Sequence, residues 1–314
     1  MRFPDCLPNA RGRHKYDAYR RKLATAVHDS VDFLVAAWNI LAESVASKEC
    51  PSHATVLMQC RNVIELLDGV EILVREGSSF NCFHLLRSTW EAYWGILWVL
   101  AEDTERRGKA YQVWHAHRTI AFASRFDEST DAHMRLRARV GGQEHSHIFE
   151  GTEVDSVAVR DRKSKLLSSP EYRETAAAWD EAVAKRNGKP GLPAWYSLFD
   201  GPKHAGELAA RVGQRVAYEV YYGFYSDAVH AGNAFDHIAP SGDENGSSVR
   251  PIRHPAWLAK VSCQAMQLAV CVVQVVLKDY APQHLDTFRE RYAITLRPAM
   301  QELAKGEQLF APWN

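Results

Sequence analysis

Hydrophobic residues recur every three or four positions over most of the chain, the spacing that lines them along one face of a helix. Between residues 15 and 48 the series is Leu23, Val27, Val31, Leu34, Trp38 and Leu41, and Lys48 followed by Pro51 closes the segment. Residues 52–76 repeat it with Val56, Cys60, Val63, Leu67, Val70 and Leu73. Gly77 stands where a helix-ending C′ glycine belongs, and Ser78 and Ser79 stand where a cap for the next helix belongs. Residues 80–101 are apolar on most sides, as suits a central helix enclosed by neighbours. Asp103 or Thr104 starts a fourth helix that runs to about Phe126.

The middle of the chain has a different texture. Residues 127–168 are polar, with Gly141-Gly142 and a mixed charge run from Arg160 to Lys165, and read as a short helix over 131–140 followed by an exposed loop. Pro170 takes the first position of an amphipathic helix that reaches about Arg186. Residues 187–202 (NGKPGLPAWYSLFDGP) are a turn-rich connection around Trp195 and Tyr196. Helix resumes over 203–232, dense in tyrosine at Tyr218, Tyr221, Tyr222 and Tyr225 and ending at Gly232. A polar loop occupies 233–253, a long apolar helix 255–280, and a last helix about 284–304. The pattern shows neither strand alternation nor an internal repeat. It predicts an all-α fold in a single domain over 1–314: a bundle of four to five long helices. Its core helices lie at about 15–126 and 203–304, with a polar helix-and-loop insertion at about 127–202.

Composition narrows the classes. The chain has 314 residues, 46% hydrophobic and 24% charged, which is enough apolar material for a sizeable core and excludes bulk disorder. Its 38 basic and 38 acidic residues cancel, so no global field draws in nucleic acid or an anionic membrane, and only local patches remain for that purpose. The six cysteines are scattered without a CxxC pair, which fits free thiols in a cytoplasmic protein better than a disulfide framework. The N-terminal residues lack the apolar segment of a signal peptide, and the apolar runs at 94–101 and 269–277 fall short of the ~20 residues of a membrane span. The expectation is a cytoplasmic protein without membrane contact. GxxxxGK[ST], GxGxxG and GxSxG are absent, which argues against a P-loop NTPase, a Rossmann enzyme and an α/β-hydrolase. The Glu-x-x-His spacing of Glu144 and His147 occurs once and in a Gly-rich polar segment, whereas di-iron bundles carry it twice on core helices, so neither a metal nor another cofactor is expected.

Two helical pairs carry the candidate chemistry. Arg87 and Glu91 stand four apart, hence on one face, inside the otherwise apolar LLRSTWEAYW. A charge there has to be paired and hydrogen-bonded, so the pair is either a core ion pair that fixes helix register or part of a site. Ser226 and His230 also share a face, in YSDAVHAG, with His230 near the helix C-terminus where the macrodipole favours positive charge. That histidine is a candidate acid or base, or a core histidine bonded to Ser226 or to a carboxylate. If the two helices are neighbours, Arg87, Glu91, Ser226 and His230 converge, with Glu91 orienting His230 and Arg87 binding an anion. The basic stretches Arg135-Leu136-Arg137-Ala138-Arg139 and 160–165 offer phosphate contacts or solvated faces. The tyrosine stripe offers base stacking, core packing or a dimer interface.

The segments LLRSTWEAYWGILWVL, DTERRGKAYQVW, AWYSLFDGPKHAGELAARVG and YEVYYGFYSDAVHAG resemble a bacterial helical family of unknown function, DUF5677, over roughly residues 55–280. The Arg-x-x-x-Glu helix and the Tyr-Ser-x-x-x-His-Ala-Gly helix end are the most specific parts. More distantly, residues 220–232 are similar to the late helix end of the HEPN superfamily of nucleotide-binding helical bundles, many of them metal-independent ribonucleases in defence and toxin–antitoxin systems. That signature has an arginine four to six residues before the histidine, whereas this chain has Phe224, Tyr225 and Ser226 there.

The likeness implies a metal-independent endoribonuclease acting in bacterial phage defence. His230 would take the proton of a 2′-OH or protonate the leaving oxygen, Arg87 would stabilise phosphate charge, and Glu91 or Asp227 would orient the histidine or the arginine. It implies RNA as substrate, a homodimer that brings two sites together, and a partner protein from the same system. The missing arginine keeps a second class open: a non-catalytic helical module that binds a partner protein or nucleic acid. An open cluster of Arg87, Glu91, Ser226 and His230 favours the first class, and a cluster sealed in the core favours the second.

Overall fold

The structure, a computed structural model, describes residues 17–48, 50–140, 156–187, 191–230, 234–240, 247–249, 253 and 257–306. In chain order its helices are α1 (Asp17–Ala46), α2 (Ala54–Arg75), α3 (Ser79–Leu100), α4 (Thr104–Ala123), α5 (Asp131–Val140), α6 (Ser156–Ser168), α7 (Arg173–Ala184), α8 (Ala205–Arg211), α9 (Arg215–Ala217), α10 (Gly223–Val229), α11 (Leu258–Tyr280), α12 (Leu285–Arg291) and α13 (Arg297–Gly306). A π-helical segment, Tyr218–Tyr222, joins α9 to α10, so that 215–229 is one continuous rod. Two short antiparallel strands, β1 (Ile238–Pro240) and β2 (Ser247–Val249), pair within the 233–253 loop. The fold is all-α. Contacts divide the chain into two compact units, residues 1–101 with 208–314, and residues 102–207.

In the first unit α11 packs against α1, α2 and α3, while α2 lies between α1 and α3. The residues that repeat at helical spacing are the ones that meet: Leu23, Val27, Leu34 and Leu41 of α1, and Val56, Cys60, Val63, Leu67 and Val70 of α2, are buried. Burying one such side chain fully contributes about 1.5–3 kcal/mol, so these stripes fix which face of each helix turns inward. Trp38 reaches the edge of that core and donates its indole N–H to Leu57 O at 3.1 Å. α2 ends as its sequence predicts. Gly77 has φ +76°, Ser78 N bonds Leu73 O at 2.8 Å, and Gly77 N bonds Val74 O at 3.0 Å, which together are a Schellman stop. Ser78 occupies the cap position of α3, but its hydroxyl accepts from the Asn81 side chain rather than from backbone. α11 is long and apolar enough to cross a bilayer by length and composition, and most of it is buried among its neighbours.

α3 is the helix enclosed on most sides. α2, α11 and the 215–229 rod all pack on it. Phe83, Leu86, Trp90, Trp94, Ile96 and Val99 are buried, leaving Asn81, His84, Ser88 and Glu91 on the one face that reaches solvent.

The second unit begins at Glu102 rather than at residue 127, because α4 packs against α6, α7 and the Trp195–Ser197 turn. Ala110 and Val113 of α4 meet Tyr172, Trp179 and Leu198 in a small apolar cluster. Asp103 caps α4 by accepting from Arg106 N at 2.9 Å. The connection 195–201 is tightly wound, with Phe199 and Asp200 at positive φ. A Cβ on Gly201 would fall 1.9 Å from Tyr196 O, so only glycine fits there. Glu144, His147, Gly141-Gly142 and Gly232 lie outside the described residues.

His117 lies flat on Trp179, with ring centroids 4.7 Å apart and planes 10° from parallel. Its Nε2 is buried without a hydrogen-bond partner. Burial pushes its pKa below the ordinary 6.5, with Asp180 opposing the shift. As pH falls below 6.5 the unfolded chain therefore binds a proton that the folded unit resists. His117 costs nothing above that value and destabilises the unit progressively below it. Hydrogen-exchange protection of α4 and α7 should drop between about pH 7 and pH 5 more steeply in the wild type than in His117→Phe, which keeps the ring stack and cannot titrate. Equal pH dependence of the two proteins would contradict this account.

Candidate functional site

The 215–229 rod runs antiparallel to α3, and aromatic rings set the register. Trp94 meets Tyr218 and Tyr222, Trp90 stacks on Tyr221 at 5.7 Å and 7°, and Phe83 stacks on Tyr225 at 5.3 Å. Tyr218 and Tyr222 stack on each other at 5.0 Å. Ring pairs of this kind contribute about 0.5–1.5 kcal/mol each beyond the area they bury. The tyrosine stripe is thus packing against α3. The π segment ends at Tyr222, and an extra residue in a turn re-aims the side chains that follow it relative to those before.

At the solvent edge of this packing Arg87 and Glu91 meet Tyr222. Arg87 Nη2 donates to the Tyr222 hydroxyl at 3.0 Å, and that hydroxyl donates to Glu91 Oε1 at 2.6 Å. The guanidinium also lies over the Tyr222 ring, 4.9 Å from its centroid. Arg87 Nε stands 3.5 Å from Glu91 Oε1, and although buried it has no hydrogen-bond partner. The phenol therefore sits between the two charges and takes the place of a direct bidentate pair. The Arg87 side chain is 22% exposed and that of Glu91 48%, so the network opens to solvent. Burial, and the hydrogen bond given to Glu91, push the Tyr222 hydroxyl up to about 12 while Arg87 opposes them, so it is a proton donor at neutral pH.

The other sequence candidates lie further along the same rod. Ser226 is half-buried, and Asp227 and His230 are exposed. The helix ends at Val229, with His230 N bonded to Ser226 O at 3.1 Å. His230 stands eight positions beyond Tyr222, about 12 Å along a helix that rises 1.5 Å per residue. The antiparallel register carries it towards the start of α3, away from Arg87 and Glu91. So Arg87 and Glu91 are together, with Tyr222 as their third member, and Ser226, Asp227 and His230 make no hydrogen bond or ion pair with them. Asp227, one turn before His230, is the carboxylate that shares its helix end. Tyr222 was hidden within the tyrosine stripe. The signal that points to it is the need of two charges in an apolar helix for a polar partner on whichever helix covers them. Among the described residues no group of three or more His, Cys, Asp or Glu side chains is placed to hold a metal ion.

Two tyrosines three apart on the rod separate the roles of hydroxyl and ring. Tyr225 is fully buried and its hydroxyl has no partner, whereas that of Tyr222 has two. Tyr225→Phe should leave stability unchanged or raise it, and Tyr222→Phe should lower it by about 1 kcal/mol, read by urea unfolding. The reverse order would contradict the hydrogen-bond assignment.

The family of unknown function DUF5677 matches the chain over residues 53–246, a span that holds α2, α3 and the whole 215–229 rod with its Arg87, Glu91, Tyr222 and His230. No curated protein and no solved structure matches it. With well over half of its length inside the match, the chain belongs to the DUF5677 family.

Proposed function

We propose that the protein is a HEPN-like helical effector that cleaves RNA without a metal ion and serves in phage defence. The observation that carries this reading is the state of Arg87. Its guanidinium makes one hydrogen bond, to a phenol, keeps an unfilled buried Nε–H, and stands at a network open to solvent. An arginine used only to pin two helices would be expected to spend its donors on a carboxylate in bidentate fashion. One held by a single phenol retains donors for an oxyanion, and arginine suits the phosphates of a nucleic acid strand.

His230 supplies the proton chemistry in this reading. It is exposed at a helix end, where a strand can reach it, and it takes the proton from a 2′-OH or delivers one to the departing 5′-oxygen. The 2′-oxygen forms a bond to phosphorus as the bond to the 5′-oxygen breaks, with solvent water taking or giving whichever of the two protons His230 does not, leaving a cyclic phosphate and a free 5′-hydroxyl. In this reading Asp227, one turn before His230, orients the ring, since Glu91 is engaged by Tyr222. Arg87 supplies the cation that holds the strand.

The separation of about 12 Å between the Tyr222 and His230 levels favours a second reading, a helical module that binds nucleic acid or a partner protein without cutting. Labelled tRNA and structured RNA incubated in excess EDTA decide between them. Wild type should cut, and His230→Ala, an exposed substitution that leaves the circular dichroism spectrum unchanged, should cut about 100-fold more slowly or not at all. No cutting by either protein, or equal cutting by both, would overturn the ribonuclease reading.

A further inference from the structure

The Arg87–Tyr222–Glu91 network has a property that a purely structural pin does not need. One carboxylate oxygen, Glu91 Oε1, is the acceptor for the phenol and the nearest negative charge to the guanidinium. Glu91 is also the most exposed of the three, with nearly half of its side chain in water. It is held by Tyr222 and by a 3.5 Å approach of Arg87 Nε that is not a hydrogen bond. Tyr222 and Arg87 are fixed more firmly. Tyr222 is stacked on Tyr218 and flanked by Trp94, and Arg87 lies over the Tyr222 ring. The donors are thus built into the aromatic wall, and their acceptor is a side chain free to leave.

We propose that Arg87 and Tyr222 form a binding site for a phosphate group, with Glu91 as the built-in competitor that occupies it when no phosphate is bound. A phosphate oxygen takes the place of Glu91 Oε1. The Tyr222 hydroxyl turns its proton from the carboxylate to the phosphate, Arg87 donates through Nε and its terminal nitrogens, and Glu91 moves out into water. No covalent bond is made or broken. The inference rests on the reading of Arg87 as a phosphate ligand and deepens it in two ways. It makes Tyr222 a direct ligand. It also places the bound phosphate about 12 Å from the level of His230, so it is a second phosphate of the substrate and not the one at which a bond would break.

Phosphate groups come free or in a nucleic acid backbone, and calorimetry at low salt with two probes separates these sources. The probes are inorganic phosphate and a short RNA oligonucleotide methylated at every 2′-oxygen, which cannot be cleaved. The proposal expects one or both probes to bind the wild-type chain. Tighter binding of the oligonucleotide assigns the site to a strand, and equal or tighter binding of inorganic phosphate assigns it to a small phosphorylated ligand. Glu91→Gln, which removes the competing charge and keeps a hydrogen-bond acceptor, should tighten the bound probe about fivefold. Tyr222→Phe should weaken it by a similar factor, and Arg87→Lys, which keeps the charge and loses the planar fork, should weaken it more.

Tightening on removal of a carboxylate is the readout that a helix pin would not produce, since loss of a structural contact can only loosen the site. Binding of neither probe, indifference to Arg87→Lys, or weaker binding by Glu91→Gln would overturn the proposal. His230→Ala keeps the two questions apart. The tightening by Glu91→Gln should persist in the His230→Ala background whether or not the wild type cuts RNA, so absence of cleavage defeats the ribonuclease reading alone, and loss of that tightening defeats this inference alone.

Discussion

A guanidinium on a helix that is apolar on nearly every side must find acceptors, or the helix cannot be enclosed. Burying a charge unpaired costs several kcal/mol, more than any single aromatic contact returns. Here Arg87 of α3 is accommodated by the helix that covers it. The Tyr222 hydroxyl accepts a hydrogen bond from its Nη2 and donates one to Glu91. This arrangement fixes the rotation and height of the 215–229 rod on α3, and the rings of Trp90, Trp94, Tyr218 and Tyr221 then fall into their stacked and tilted pairs. The polar contact selects one register, and the aromatic contacts supply most of the adhesion.

The same constraint separates what the chain can do at the two ends of the rod. The α3-facing middle is aromatic and anchored by the phenol. The end that carries Asp227 and His230 is exposed and free of that network. A strand or phosphorylated ligand that engages both has to be longer than one phosphate. The chemistry proposed for His230 and the binding proposed for Arg87 and Tyr222 are therefore steps on one surface, spaced along one helix.

Much of this was legible in the sequence. The apolar spacing of α1 and α2, the Gly77 stop, the Asp103 start and the all-α class follow from local rules that act within one turn or one stripe, and α3 shows its enclosure in its own composition. The pairing of Arg87 with Glu91 follows from a four-residue spacing. What the sequence does not carry is register between helices. The four expected site residues lie on helices that do pack together, α3 and the rod. Yet the antiparallel offset puts Tyr222, rather than Ser226 or His230, opposite the charges. The π segment at Tyr218–Tyr222 has no mark in YEVYY. In the 102–207 unit, α4 joins α6 and α7 because Ala110 and Val113 have Tyr172 and Trp179 to bury against, a choice made by residues 60 or so positions away.

The measurement that bears most directly on this account is a double-mutant cycle between α3 and the rod. Unfolding free energies of wild type, Glu91→Gln, Tyr222→Phe and the double variant give the coupling between the carboxylate and the phenol free of their separate effects. A coupling of about 1 kcal/mol or more is predicted for a charge-assisted hydrogen bond at a partly buried edge. Additive losses would contradict it, and would mean that the rod is held on α3 by its rings alone.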